Sequence, residues 1–243
     1  KEFECVATIA RAVLARLLFD DELRSFARCK EGFNEPRHAA VNGQETANQS
    51  GEPYLIVPER PSKPGVVLVH GLLASPAELK ALGQRLAALG HPVLGVRLTG
   101  HGTSPWDLRE RSWQDWLASV RRGYEIMAHL TEEVVVVGFA TGASLALQLA
   151  ASRPPGLVGV VSVSAPLSFR PRSVAFASLI HGLNKLSQWV YVQDGVKPFL
   201  PRDPEHPDID YRNMPVRGLV ELRNVADELS CCQPQIVCPV PII

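Results

Sequence analysis

The sequence has no excess of either charge: 25 lysines and arginines stand against 25 aspartates and glutamates, so the formal net charge is zero. A surface that binds a phosphate backbone needs a basic excess, so nucleic acid is excluded as the main partner. No apolar run reaches the roughly 18 residues of a membrane-spanning helix. The stretch 6–19 is apolar, but Arg11 and Arg16 break it, and it lacks the small-residue cleavage pattern of a signal peptide. Five cysteines (Cys5, Cys29, Cys231, Cys232 and Cys238) form an odd, scattered set, and none joins a histidine at zinc spacing. They read as reduced thiols of a cytoplasmic protein. No repeat period, metal motif or cofactor motif is present, so no cofactor is expected. The chain opens on Lys1 rather than methionine, and a preceding segment is therefore expected.

What is present is ordinary globular material. The 243 residues are 46% apolar and 21% charged, which excludes wholesale disorder. Residues 6 to 28 have helical spacing, with Ile9, Val13, Leu17 and Phe26 near one face. Such a helix docks on the domain or seeks a surface. Residues 30 to 51 are polar and rich in Gly, Pro, Asn, Gln and Ser, as in a linker or mobile loop. The organisation expected is an N-terminal helix and linker over 1–51 and a folded domain over 52–243.

Within that domain short apolar runs alternate with helical patterns. Val66 to Val69, Val93 to Leu98, Val134 to Val137 and Leu157 to Val163 read as strands. Pro76 to Leu89, Trp113 to Leu130, Ala143 to Ala151 and Val216 to Leu229 read as helices. Strands that are apolar without alternation are buried on both faces. The order predicts an α/β fold, a mostly parallel sheet with helices on both faces. Residues 168 to 215 break the rhythm and read as an insertion. Val237 to Ile243 begins one more strand.

Ligand and catalytic groups of a parallel sheet sit at the carboxyl ends of its strands. After the first strand comes His70-Gly71-Leu72-Leu73, where a glycine lets the backbone turn sharply and aim N–H groups into the crevice. After the second comes Gly100-His101-Gly102; His101 reads as a hydrogen-bonded loop histidine ahead of a proton-transfer group. After the four valines comes Gly138-Phe139-Ala140-Thr141-Gly142, followed at once by a helix. A strand-to-helix turn with small residues two before and two after its centre is the nucleophile elbow, G-x-S-x-G. Its central residue here is Ala140, and a methyl group cannot attack a carbonyl. Thr141 points away from the crevice and serves better through its N–H. Ser144, a turn into the helix, reads as a helix-face hydroxyl.

These segments together resemble the α/β-hydrolase family, in particular small carboxylesterases and monoacylglycerol-lipase-like serine hydrolases. The resemblance rests on Val67-Leu68-Val69-His70-Gly71-Leu72 with Ser75-Pro76, on Arg97-Leu98-Thr99-Gly100-His101-Gly102-Thr103-Ser104-Pro105, and on Trp113 with Trp116. The elbow and Ser164-Ala165-Pro166 complete it. It implies oxyanion-hole N–H groups from Leu72 and Thr141, a serine where Ala140 stands, and a small-molecule ester as substrate. It implies a cap over 168–215 that lines an acyl pocket with Phe169, Phe176, Leu179, Ile180, Leu183, Trp189 and Val192. Substrate contacts are expected from Gly71, Leu73, Phe139, Phe176, Ile180 and Trp189. In this fold the acid and the histidine follow the nucleophile in chain order, so both are expected beyond residue 243, with the C-terminal part of the fold missing from this chain. Three readings stay open: an esterase whose serine was replaced so that substrate is held, a natural non-catalytic pseudohydrolase that binds a ligand or partner, and a gene fragment. The oligomeric state is not legible.

Overall fold

Five short segments pair into one sheet: β1 (Tyr54–Ile56), β2 (Gly65–Val69), β3 (Val93–Val96), β4 (Val134–Phe139) and β5 (Leu157–Val163). Their spatial order is β1-β3-β2-β4-β5, all parallel except the antiparallel edge strand β1. The structure is a computed structural model. It describes residues 2–33, 35–45, 51–166, 198–204, 206 and 208–243, without the side chains of 2–5 and 37.

Side chains alternate between the faces of a strand. Val67 and Val69 join Leu94, Val96, Val134 and Val136 in the main core, while Val66 and Leu68 join Val93 in a second cluster. Every residue of β2 is buried, which is why its sequence is apolar without alternation. The helix α5 (Trp113–Leu130), which follows the short helix α4 (Pro105–Arg109), packs on β2 and β3, burying Trp116, Val120 and Met127. It starts where Ser112 and Asp115 form a capping box, the Ser112 N–H donating to Asp115 Oδ2 at 2.9 Å. The helix α3 (Lys80–Ala88), entered through a 3-10 turn at Pro76–Leu79, packs on β3, with Leu79, Leu86 and Ala87 against the second cluster. α6 (Thr141–Ala151) packs on β4, β5 and the helix α7 (Val216–Cys232).

Three parts differ from the sequence expectation. The N-terminal helix α1 (Glu2–Gly32) docks on α5, with Arg11 donating to Ala128 O at 2.8 Å and Arg122 paired with Glu22 at 2.6 Å. Its docked face is Ala15, Phe19 and Phe26; Ile9, Val13 and Leu17 are exposed. The first half of α1 is apolar nearly all round, so contact with α5 selects the buried face, not the helix's own periodicity.

Second, the stretch 30–51 is more than a linker. It holds a 3-10 turn at Pro36–His38 and the short helix α2 (Ala39–Asn42). His38 is buried against the Trp106 ring at 5.0 Å, and Glu45 accepts the N–H groups of Arg212 and Asn213 at 2.9 and 3.1 Å. Polar composition concealed this docking because the partners lie far away in sequence. Third, residues 199–215 contain a two-stranded antiparallel pair, β6 (Phe199–Pro201) and β7 (Asn213–Pro215). At the far edge of β5 the segment 239–243 runs alongside, Ser162 N–H donating to Pro241 O at 2.9 Å and Ile243 N–H to Ser162 O at 3.0 Å. The strand expected over Val237 to Ile243 is thus an extended segment beside β5 with a single bridge, Ser162 to Ile242, the prolines at 239 and 241 having no N–H to donate.

Candidate active site

β4 passes into α6 through a single residue, Ala140, with φ 48° and ψ −117°. A residue with a Cβ is rarely found there, at a cost on the order of 1–3 kcal/mol. The surroundings hold it in place. Ala140 N–H donates to Val163 O at 2.9 Å, and Ala140 O accepts from Ala143 N–H at 3.0 Å. The flanking glycines are required by space. A Cβ on Gly138 would lie 2.4 Å from Ala143 Cα, and one on Gly142 would lie 2.2 Å from Val69 O. Strand, helix and the end of β2 therefore meet too closely for any other residue. The turn points Ala140 at the loop after β2, where a Cβ built on Gly71 would sit 3.4 Å from Ala140 Cβ. Thr141 opens α6, at its electropositive N-terminus.

The loop after β2 is held at several points. His70 is buried, and its Nε2 accepts the Leu98 N–H at 3.2 Å. Nε2 is then the bare nitrogen, so Nδ1 carries the proton and donates to Gly71 O at 2.8 Å. Gly71 N–H donates to Glu78 Oε2 at 2.8 Å. Leu73, with φ 70°, has its carbonyl held by Tyr211 N–H at 3.0 Å. Neither Leu72 N–H nor Thr141 N–H has a hydrogen-bond partner among the described residues.

Both segments line one cleft of about 850 Å³. Of the sequence-predicted site residues, Gly71, Leu72, Leu73, Phe139, Ala140 and Thr141 come together there. Phe176, Ile180 and Trp189, with the rest of the expected cap lining over 169–192, lie outside the described residues. The cleft also contains residues that sequence reasoning missed. Glu78, Arg202, His206 and Asp210 give it a polar wall, and Met214, Leu219 and Leu222 an apolar one. Arg202 and Asp210 pair at 3.5 Å. Burial lifts the Glu78 carboxyl above its ordinary range; the Gly71 N–H opposes this, Asp210 adds to it and His206 opposes it. One signal for Glu78 existed: an acid in the first turn after Ser75-Pro76, close to a glycine loop with N–H groups to satisfy.

His101 does not line the cleft. It is fully buried, edge-on to the His70 ring at 5.1 Å and the Trp116 ring at 5.7 Å. Burial first, then the neighbouring His70, holds it well below the ordinary histidine value. It is a packed loop histidine, as the sequence favoured. The same loop is fastened by Tyr211, whose hydroxyl accepts Thr103 N–H at 2.7 Å and donates to Gly100 O at 3.1 Å. Asp107, fully buried, accepts from Thr103 Oγ1 and Arg111 Nε, both at 2.7 Å. Ser144 is buried in α6 and is not among the cleft residues. Among the described residues no cluster of three His, Cys, Asp or Glu is arranged to hold a metal, and no helix is long and apolar enough to cross a membrane.

The buried histidine gives a pH prediction. Burial pulls His70 from 6.5 down to about 4. The unfolded chain therefore binds the proton more readily than the native state between those values. Stability is complete above pH 6.5 and falls as pH drops towards 4, by about 3 kcal/mol from this group. Urea titrations across that range should show the loss, and the stability difference between His70→Asn and the parent should narrow as the pH falls.

The family described as serine aminopeptidase, S33, matches residues 60–242. The chain belongs to that family. It has the α/β-hydrolase fold, and a lipase and an esterase are among its relatives. The chain is 29% identical over 175 residues to a thermostable monoacylglycerol lipase of Bacillus sp. (strain H-257), covering 72% of this chain and 66% of that protein. It is 27% identical over 116 residues to a carboxylesterase of Bacillus subtilis (strain 168), covering 47% of this chain and 46% of that one. The chain thus spans just under two thirds and just under half of the lengths of these relatives. A structure from work on LipS and LipT, two metagenome-derived lipolytic enzymes, superposes with a TM-score of 0.66 at 23% identity, over 82% of this chain and 76% of that chain. The Paleococcus ferrophilus monoacylglycerol lipase superposes with a TM-score of 0.57 at 20% identity, over 78% of this chain and 75% of that chain. These two show the S33 chain's fold.

Proposed function

We propose that the cleft is the acyl site of a carboxylic-ester hydrolase, and that with alanine at position 140 it holds an apolar ester or the matching carboxylate without turning it over. The observation that carries this is the backbone of Ala140, strained between Gly138 and Gly142 and aimed at the Gly71 loop. Such a turn serves to lift one side chain out of a sheet, and a serine hydroxyl is the group that uses it. The N–H groups of Leu72 and Thr141 would stabilise the oxyanion of an acyl-transfer intermediate, each contributing about 2.7–4 kcal/mol as judged from removal of such donors. The apolar wall of Met214, Leu219 and Leu222 suits an acyl chain. The monoacylglycerol lipase and carboxylesterase relatives support an ester as the substrate class. The methyl of Ala140 supplies no nucleophile, so no acyl-enzyme forms.

The test uses the chain as it is. Calorimetric titration with decanoate should show one saturable site, and p-nitrophenyl decanoate should be hydrolysed no faster than in buffer. Ala140→Trp, which fills the cleft floor, should abolish the binding. Ester turnover by the chain with alanine in place, or binding indifferent to Ala140→Trp, would reject the proposal.

A further inference from the structure

The proposed site depends on where the Leu72 N–H points, and nothing in Leu72 itself decides that. The peptide unit between Gly71 and Leu72 is planar and trans, so its C=O and N–H point in opposite directions. Gly71 has no side chain to restrain it. Two hydrogen bonds do the restraining. His70 Nδ1–H takes the Gly71 carbonyl at 2.8 Å, and Glu78 Oε2 takes the Gly71 N–H at 2.8 Å. With the carbonyl held by the buried His70, the Leu72 N–H is turned to the side away from that ring, and Leu72 lines the cleft. With the preceding N–H held by Glu78, Gly71 cannot rotate to exchange one for the other.

From this geometry, and resting on the acyl-site reading above, we propose that Glu78 is a positioning residue: its carboxylate locks Gly71 so that the Leu72 N–H faces position 140. The carboxylate lies within hydrogen-bond reach of Gly71. A Cβ built on Gly71 would be 3.6 Å from Glu78 Oε2 and 3.4 Å from Ala140 Cβ, so Glu78 and position 140 both border Gly71. Glu78 enters from the 3-10 turn at Pro76–Leu79, whose own geometry is fastened by Glu78 N–H donating to Ser75 O at 3.0 Å. His70 acts on the same peptide from the other side, and its donation to the carbonyl polarises the Leu72 N–H into a better donor. The groups that face Glu78 across the cleft are Asp210 and His206, with Arg202 paired to Asp210. Burial and Asp210 hold the Glu78 carboxyl above its ordinary range.

Three variants of the full chain test this: Glu78→Gln, which keeps an acceptor oxygen; Glu78→Ala, which removes it; and Glu78→Asp, which withdraws it. In ¹⁵N–¹H spectra the Gly71 amide of the parent should titrate with a midpoint above 4.5, the ordinary glutamate value. It should not titrate in Glu78→Gln. Glu78→Ala should shift the Leu72 amide as well as that of Gly71 and weaken decanoate binding roughly tenfold, the worth of one charge-assisted hydrogen bond. Glu78→Gln should restore binding to within about threefold of the parent at unchanged melting temperature, a rescue that lost packing would not produce. Glu78→Asp should fall between them. A Gly71 amide that ignores Glu78, or Glu78→Ala binding like the parent, overturns the proposal. If the parent itself binds no decanoate, the acyl-site reading fails, while the Gly71 and Leu72 shifts in Glu78→Ala still decide the positioning role.

Discussion

Ala140→Ser, made in the whole gene product, is expected to hydrolyse short- and medium-chain p-nitrophenyl esters with an initial burst. The gain in kcat over the alanine protein should be on the order of 10⁶, the factor lost when a serine nucleophile is removed from a complete triad. The change adds one oxygen to a side chain that already points into the cleft, so the fold has nothing to rearrange. The hydroxyl would stand at the N-terminus of α6, where the helix favours negative charge, and beside two N–H groups without partners among the described residues. The chemistry also needs a histidine and an acid that follow the nucleophile in chain order. The chain spans 66% and 46% of the curated relatives' lengths. A folded Ala140→Ser protein with no burst and no turnover would remove the catalytic reading and leave a binding site.

Gly142→Ala is expected to destabilise the chain by about 3 kcal/mol, at the upper end of overpacking costs. The added methyl would lie 2.2 Å from Val69 O and 2.5 Å from His70 O. Both atoms are backbone at the end of β2, so neither can swing aside as a side-chain tip would. The start of α6 must move away from β2, carrying Thr141 and Ala140 off the Gly71 loop. Stability and decanoate binding should therefore fall together. For a domain of this size the melting temperature should drop by roughly 6–12 °C. Thermal melts and urea titrations check the first effect, calorimetry the second. A Gly142→Ala protein with parental stability would show that strand and helix do not cross as closely as described.

The central sheet and the elbow were legible because their physics is local. β2 is buried on both faces and has no reason to alternate, so GVVLV at 65–69 stands out from helical patterns; the four valines at 134–137 read as a strand too, although only Val134 and Val136 of them are buried. An elbow needs small residues at fixed offsets, so Gly138 and Gly142 mark Ala140 without any knowledge of the partner strand. What stayed hidden depends on contacts between distant segments. β1 is three residues long and has meaning only beside β3. Tyr211 fastens the Gly100–Thr103 loop across more than a hundred residues. Glu78 is an ordinary acid in a helix turn until Gly71 is seen to donate to it. The apolar face of α1 is hidden for the same reason: of the spaced Ile9, Val13, Leu17 and Phe26 only Phe26 is buried, together with Ala15 and Phe19, because packing against α5 selects the face.

The measurement that bears most directly on the cleft is a ¹⁵N–¹H titration of the chain with decanoate, read residue by residue. The Leu72 and Thr141 amides are expected to show the largest shifts, with one shared dissociation constant, and to remain still when Ala140→Trp fills the floor. Leu72 and Thr141 amides unmoved at saturating decanoate, with the shifts gathered on another surface, would contradict an acyl site at position 140.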